Sequence, residues 1–254
     1  MGTALLRTLP SSYAAGATRV YYEPGSGIDM QRARRQHELL AEALDALGDH
    51  VVWLDSPDDQ PDAVFVEDTA VIVGDRALIA RSAHPGRAAE AEAVADALDA
   101  MGLTVVRMQA GTLDGGDVLR IGGRLWVGRS DRTDADGVAA LQGAFPELAV
   151  QQVKLPPGVL HLKCVASTPG DGQTVVLAEG TVPPDVFDGV RVVLVPHDEA
   201  YAANVVGNGD EVLVPAGYPG AAAALRRAGF TPRAVEVSEL RKGDGSLTCV
   251  SLRW

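Results

Sequence analysis

Short apolar runs recur along the chain in pairs, each pair split by a Gly-containing turn. Glu67–Ser82 (EDTAVIVGDRALIARS), Gly115–Ser130 (GGDVLRIGGRLWVGRS) and Asn204–Gly217 (NVVGNGDEVLVPAG) share this layout, and Cys164–Glu179 (CVASTPGDGQTVVLAE) is a looser copy with a longer turn. Gly74-Asp75, Gly122-Gly123 and Gly209-Asp210 are hairpin signals between β-rich runs. After each hairpin the period changes. Arg87–Met101 predicts a helix with Val94, Leu98 and Met101 on one face and Gly102 just past its end, followed by a strand over Thr104–Met108. Asp134–Phe145 and Ala221–Ala228 predict helices before the strands Leu148–Leu155 and Ala234–Val237. Ile28–Leu47 predicts a long amphipathic helix, with Val51–Leu54 as its strand.

The unit is therefore hairpin, helix, strand, and it occurs about five times if Leu247–Trp254 pairs with Ala4–Leu9. That pairing would close a ring and remove the exposed edges of a linear array. No linker or shift of composition interrupts residues 1–254. The expectation is a single α/β domain, a closed five-bladed propeller of ββαβ units around a central polar channel. An open α/β sheet of successive units is the alternative.

Composition narrows the partners. The net charge of −12 argues against a nucleic-acid surface and admits a cationic ligand. No stretch approaches the roughly 18 apolar residues of a membrane span, and Met1–Pro10 lacks the pattern of a secretory leader. Two cysteines, Cys164 and Cys249, make no disulfide framework, so the expected location is the cytoplasm, with both thiols reduced.

Polar residues hold the same place in every repeat: Glu67 and Asp68, Asp114 with Asp117, His161, Asn204 and Cys249. From Glu67 onward the spacings are 47, 47, 43 and 45. In a ring of similar units these positions point at one axis. Each has an ordinary explanation: a buried small Cys, a half-buried His, an Asp-Gly turn, edge acids. Their shared register favours chemistry, because a Cys nucleophile needs an acid/base partner and an orienting group. Adjacent acids behind an apolar strand favour a cationic ligand. A planar guanidinium suits several carboxylates, with Cys249 attacking its central carbon and His161 passing a proton to the leaving amine. His161 and Cys164 lack the further ligands of a zinc pattern.

The motifs PDAVFVEDTA (61–70), LDGGDVL (113–119), SDRT (130–133), LHLK (160–163), YAANVV (201–206), PAGYP (215–219) and LTCVSLRW (247–254) resemble the dimethylarginine dimethylaminohydrolases of the wider pentein family. IDMQRARRQHELL (28–40) resembles that family's first helix. The resemblance runs nearly end to end. It implies a ring of five ββαβ units and a triad of Cys249, His161 and Asp114. It implies that Glu67 and Asp68 engage the guanidinium, that Arg132 and Arg87 hold the substrate carboxylate, and that Asp62 lies near the α-amino group. Phe65 is the candidate surface for the methyl groups. Ser11–Gly27 would be a lid. The expected reaction releases citrulline and a methylamine from a methylated arginine through a Cys thiouronium, with no metal or cofactor; a homodimer stays open. An arginine deiminase-like reaction, a non-catalytic binder of cationic amino acids, and a metal-dependent hydrolase are the alternatives.

Overall fold

A computed structural model describes residues 2–16 and 27–254. Among these residues, fifteen strands form five three-stranded sheets of one design. The first holds β1 (Thr3–Arg7), β2 (His50–Leu54) and β15 (Leu252–Arg253), and the second β3 (Ala70–Val73), β4 (Arg76–Ile79) and β5 (Thr104–Arg107). The third holds β6 (Val118–Ile121), β7 (Arg124–Arg129) and β8 (Ala149–Lys154). The fourth comprises β9 (Ala166–Ser167), β10 (Thr174–Ala178) and β11 (Arg191–Val195), and the fifth β12 (Val206–Gly207), β13 (Glu211–Pro215) and β14 (Thr231–Val235). In each sheet the middle strand is antiparallel to one neighbour and parallel to the other, which is reached by a crossover.

The hairpin turns fall where the glycines place them, and the crossovers follow the helical pattern with shifted ends. Helix α1 (Met30–Ala46) begins one residue after Asp29, whose carboxylate accepts from the backbone N–H groups of Gln31 and Arg32. It buries Ala33, His37, Leu40, Ala41 and Leu44 as one stripe. Helix α2 (Glu90–Ala100) begins three residues later than the pattern predicts, because Pro85–Arg87 form a 3₁₀ turn that carries the Arg87 side chain inward. Asp134 caps α3 (Ala135–Ala144) through Gly137 N–H at 2.7 Å. Helix α4 (Pro219–Arg227) leads to β14, which starts at Thr231 rather than Ala234. The repeat is imperfect in the fourth unit: β10 reaches β11 through a 3₁₀ turn, Pro184–Val186, in place of a helix. Pro184 opens that turn, and residues 185–190 are too short a stretch before β11 begins at Arg191 for a helix like those of the other units. A short helix α5 (Ser238–Lys242), which the periodicity did not suggest, fills the link from β14 to the Cys249 loop.

The two ends of the chain share one sheet. β15 pairs antiparallel with β1, Ala4 opposite Arg253 and Leu5 opposite Leu252, and Thr3 N–H donates to Trp254 O at 2.8 Å. Residues of β3, β6, β9, β12 and β15 all line one central cavity of about 220 Å³, so the first strands of the five units surround a common axis. Among the described residues no helix is long and apolar enough to cross a membrane.

Successive units meet at Gly115, where an added Cβ would run into the carbonyl oxygens of Glu67 and Ala70. Gly115→Ala should therefore lower stability by about 1–3 kcal/mol, the usual cost of overpacking. Gly143→Ala, in α3 with nothing within 4 Å of the added carbon, should be neutral or slightly stabilising. Thermal melts of the two variants check the pair.

Candidate active site

Four of the first strands are preceded by 3₁₀ turns: Val66–Thr69, Gly115–Asp117, Leu162–Cys164 and His197–Ala203. A turn over residues 247–250 takes the same place in the unit that closes the ring. The turns are tied one to the next. Asp68 Oδ1 accepts from Gly116 N–H at 3.2 Å, and Asp117 Oδ1 from Leu162 N–H at 3.0 Å. Asn204 Nδ2 donates to Lys163 O at 2.8 Å, and Asn204 Oδ1 accepts from Thr248 N–H at 3.0 Å. Glu67 N–H donates to Cys249 O at 3.2 Å, which brings the circle back to its start. The polar positions that repeat along the sequence, or residues next to them, are thus the links of a hydrogen-bonded girdle around the axis.

His161 stands between two carboxylates. Its Nε2 lies 3.2 Å from Asp114 Oδ2, and its Nδ1 lies 3.7 Å from Asp68 Oδ1. Gly116 allows this approach, since a Cβ there would sit 2.6 Å from His161 Nδ1. Asp114 is fully buried, and its Oδ1 has no hydrogen-bond partner among the described residues. Asp117 reaches the other way, accepting from Ser130 Oγ at 2.5 Å and Thr133 Oγ1 at 2.7 Å, and so suspends the SDRT loop that carries Arg132.

Glu67 is buried and doubly engaged: Oε1 meets Lys163 Nζ at 2.7 Å and Oε2 accepts from Thr248 Oγ1 at 2.7 Å. Arg87 is buried too. It donates to Asp68 at 2.8 Å, to Glu90 through both Nε and Nη2 at 3.0 and 2.9 Å, and to Phe65 O at 3.4 Å. At least three of its five N–H donors are therefore committed inside the protein. Arg132 is half-buried, and its guanidinium has no ion pair among the described residues. The Phe65 ring is flanked by Arg87 at 6.0 Å and by the edge of Tyr13 at 6.0 Å. Asp62 is buried beside Gly16. Most of the expected lid, residues 17–26, lies outside the described residues; Tyr13–Ala15 at its base form a 3₁₀ turn, and Tyr13 Oη donates to Leu240 O at 2.9 Å. Both cysteines are free.

The charges tune one another. Burial would lower the pKa of His161, but the Asp68 charge, the hydrogen bond to Asp114 and the Asp117 charge outweigh it and push it up to about 9. Burial would raise Asp68, yet His161 and Arg87 hold it below the usual carboxylate range. Burial drives Glu67 up against the opposing Lys163. Burial, and then the Glu67, Cys164 and Asp68 charges, lift the Cys249 thiol well above its ordinary value. Burial lifts Cys164 to about 12. Near neutral pH the resting site thus holds an imidazolium and a neutral thiol. Asp68, Asp114 and His161 each offer one ligand atom within 4.8 Å of the others, the set a cation would use. Those atoms are already paired with one another, with Arg87 and with the Gly116 amide.

Periodicity misses Glu90, and Lys163 and Thr248 enter only as members of LHLK and LTCVSLRW. Glu90 sits in the first turn of α2, where an acid is ordinary; the inward Arg87 gives it a second purpose.

Five three-stranded units around an axis, four of them ββαβ, with these turns at one end define the pentein fold. No protein-family model matches the chain. It is 38% identical over 228 residues to the N(G),N(G)-dimethylarginine dimethylaminohydrolase of Streptomyces coelicolor, covering 89% of this chain and 87% of that one. It is 30% identical to the Pseudomonas aeruginosa enzyme of the same name, covering 89% and 90%. The chain belongs to the dimethylarginine dimethylaminohydrolase family. A crystal structure of a dimethylarginine dimethylaminohydrolase adduct with S-methyl-L-thiocitrulline superposes with a TM-score of 0.90 at 29% identity over the whole of both chains. The Pseudomonas aeruginosa enzyme complexed with citrulline gives 0.88 at 29%, covering 99% and 98%. The N-terminal domain of a cyanobacterial arginine dihydrolase, 20% identical with a TM-score of 0.89 and covering 99% and 97%, shares the fold.

A thiol held neutral by burial and by nearby carboxylates should alkylate slowly in the resting protein. Iodoacetamide labelling of Cys249 in a Cys164→Ser background should rise steadily as pH increases through about 9, with no plateau near neutrality. Mass spectrometry of the peptide against pH checks this.

Proposed function

We propose that this protein hydrolyses an N-omega-methylated arginine to citrulline and a methylamine, with Cys249 as nucleophile, His161 as acid/base and Asp114 as its orienting carboxylate. The observation that supports this reading most directly is the His161 imidazolium held between Asp114 and Asp68, with Cys249 on another turn of the same girdle, its thiol kept protonated by burial and then by the Glu67 and Asp68 charges. A guanidinium laid against Glu67 and Asp68 cancels those charges, so the thiol releases its proton to solvent and becomes a thiolate only with substrate in place. Sγ then bonds to the guanidinium carbon. The dialkylated nitrogen takes the proton of His161 as its C–N bond breaks, and an amine leaves behind a thiouronium on sulfur. His161, now neutral, removes a proton from water; the oxygen attacks the same carbon, the C–S bond breaks, and citrulline and the thiol are restored.

The roles of the binding residues follow the same logic. Arg132, without an ion pair among the described residues, reads the substrate carboxylate; Arg87 contributes what its remaining donors allow while it neutralises Asp68. Asp62 faces the α-amino group and Phe65 the methyl groups. The protein works in the cytoplasm, where its thiols stay reduced.

Purified protein should release dimethylamine from asymmetric dimethylarginine with a kcat/KM above that for ammonia release from arginine. Acid-quenched protein should carry the adduct on the Cys249 peptide. Cys249→Ser should lose at least ~10³ of kcat while Cys164→Ser loses little. An active Cys249→Ser protein ends the mechanism, faster turnover of arginine ends the substrate assignment, and inhibition by a chelator brings back the metal-dependent reading.

Arg132→Ala should weaken amino-acid substrates by about 1.5–3 kcal/mol, roughly 10- to 100-fold in KM, the worth of a charged hydrogen bond. An agmatine-like guanidine, which lacks the carboxylate, should be nearly indifferent. Steady-state kinetics on both substrates would expose a purely structural Arg132 as an equal loss on each.

A further inference from the structure

Asn204 shares the repeat register of the reactive groups, yet no step above uses it. Its side chain is fully buried and its amide is fully occupied. Oδ1 accepts from Thr248 N–H at 3.0 Å, and Nδ2 donates to Lys163 O at 2.8 Å and to Thr248 Oγ1 at 3.0 Å. Lys163 lies two residues after His161, and Thr248 lies one residue before Cys249. One amide therefore spans the loop of the acid/base and the loop of the nucleophile. We propose that Asn204 is a positioning residue that fixes His161 relative to Cys249, so that the imidazolium proton is delivered to the leaving nitrogen. This inference rests on the hydrolase reading given above.

A second clamp joins the same two loops, and its chemistry shows why the first is needed. Glu67 holds Lys163 Nζ through Oε1 and Thr248 Oγ1 through Oε2. Those oxygens are also the ones offered to the guanidinium, so the Glu67 clamp is disturbed when substrate arrives. The Asn204 clamp is neutral and carries no titrating group; Thr248 Oγ1 ties it to Glu67, but its bonds to Lys163 O and from Thr248 N–H run to backbone and do not depend on that carboxylate's charge, so they keep their geometry through the cycle. Only a primary amide supplies the required set. Aspartate at this position keeps the acceptor for Thr248 N–H but turns a lone pair toward Lys163 O, and serine is too short to reach both loops.

A positioning role through the acid makes a statement about leaving groups that a general structural role does not. An amine needs a proton to depart, whereas the methanethiolate of S-methyl-L-thiocitrulline leaves without one. In single-turnover experiments, acid-quenched and read by mass on the Cys249 peptide, Asn204→Ser should slow adduct formation from dimethylarginine by ~10²-fold, the scale of a misplacement near 1 Å. Adduct formation from S-methyl-L-thiocitrulline should slow by no more than about threefold, a loss within ~0.7 kcal/mol. Asn204→Leu, which is close in size and adds no charge beside Cys249, is measured alongside in case the serine variant does not fold, and should show the same split. Equal slowing on both substrates, or none on either, overturns the proposal. Failure of the unaltered protein to form an adduct from either substrate is a distinct result, which removes the hydrolase reading and this inference with it.

Discussion

Buried carboxylates are costly unless every oxygen finds a donor, and a site built to grip a cation must bury several of them. Here much of that cost is met by geometry that the repeat supplies. Three of the five turns offer side-chain oxygens to the backbone N–H of the next, Asp68 to Gly116, Asp117 to Leu162 and Asn204 to Thr248, and the other two offer a carbonyl. Five units in a circle let the pattern close on itself at Glu67 and Cys249. An open array of the same units would leave its last acceptors without donors. The girdle, more than any one apolar cluster, sets where the reactive groups stand, because the same residues that carry the chemistry, or their immediate neighbours, form its links.

The electrostatic state of the site follows from this arrangement. Burial comes first in holding the Cys249 thiol neutral, followed by the Glu67 and Asp68 charges; Asp68 also raises His161, so one carboxylate stores a proton on the proposed acid and helps to mask the proposed nucleophile. A neutral ligand would leave those charges in place. In the proposed reaction a guanidinium offsets the Glu67 and Asp68 charges, and so the substrate's own charge helps to unmask the thiol. Arg87 limits the excess: paired to Asp68 and Glu90, it keeps the acidic cluster from overwhelming the site before substrate binds. In the proposed reading that arrangement leaves the substrate carboxylate mainly to Arg132, whose loop hangs from Asp117 through Ser130 and Thr133 and so is coupled to the same girdle.

The fold was legible because two periods alternate. The Gly turns at Gly74, Gly122 and Gly209 located the hairpins, and the spacing of Glu67, Asp114, His161, Asn204 and Cys249 located the axis. The closing pair of strands was legible from leftover apolar runs at the two ends. The helix missing between β10 and β11 was not foreseen, since periodicity registers what a segment could form and overlooks its length and prolines. Helix α5 was missed because five residues are too few for a hydrophobic stripe. In the site, residue identity singled out Cys249, His161 and the acids, which the structure gathers on the turns around the axis, but partnership was hidden. Nothing in PDAVFVEDTA says that Glu67 is clamped by Lys163 and Thr248, and nothing in the run after Ser82 says that Arg87 turns inward. Those are long-range contacts, fixed by where loops from different units meet.

The placement of the nucleophile ties chemistry to ring closure. Cys249 lies three residues before β15, and β15 has β1, at the opposite end of the chain, as its strand partner. The loop is then held from the Asn204 side by an amide and from the Glu67 side by a carboxylate and a backbone bond. Three separate units must be in place before the thiol meets the carboxylates that mask it. A partly folded chain would present Cys249 in water, at the ordinary thiol pKa, where it could react indiscriminately. Building the nucleophile into the last turn of the ring means that the environment restraining it and the geometry activating it arrive together, when the two ends of the chain pair.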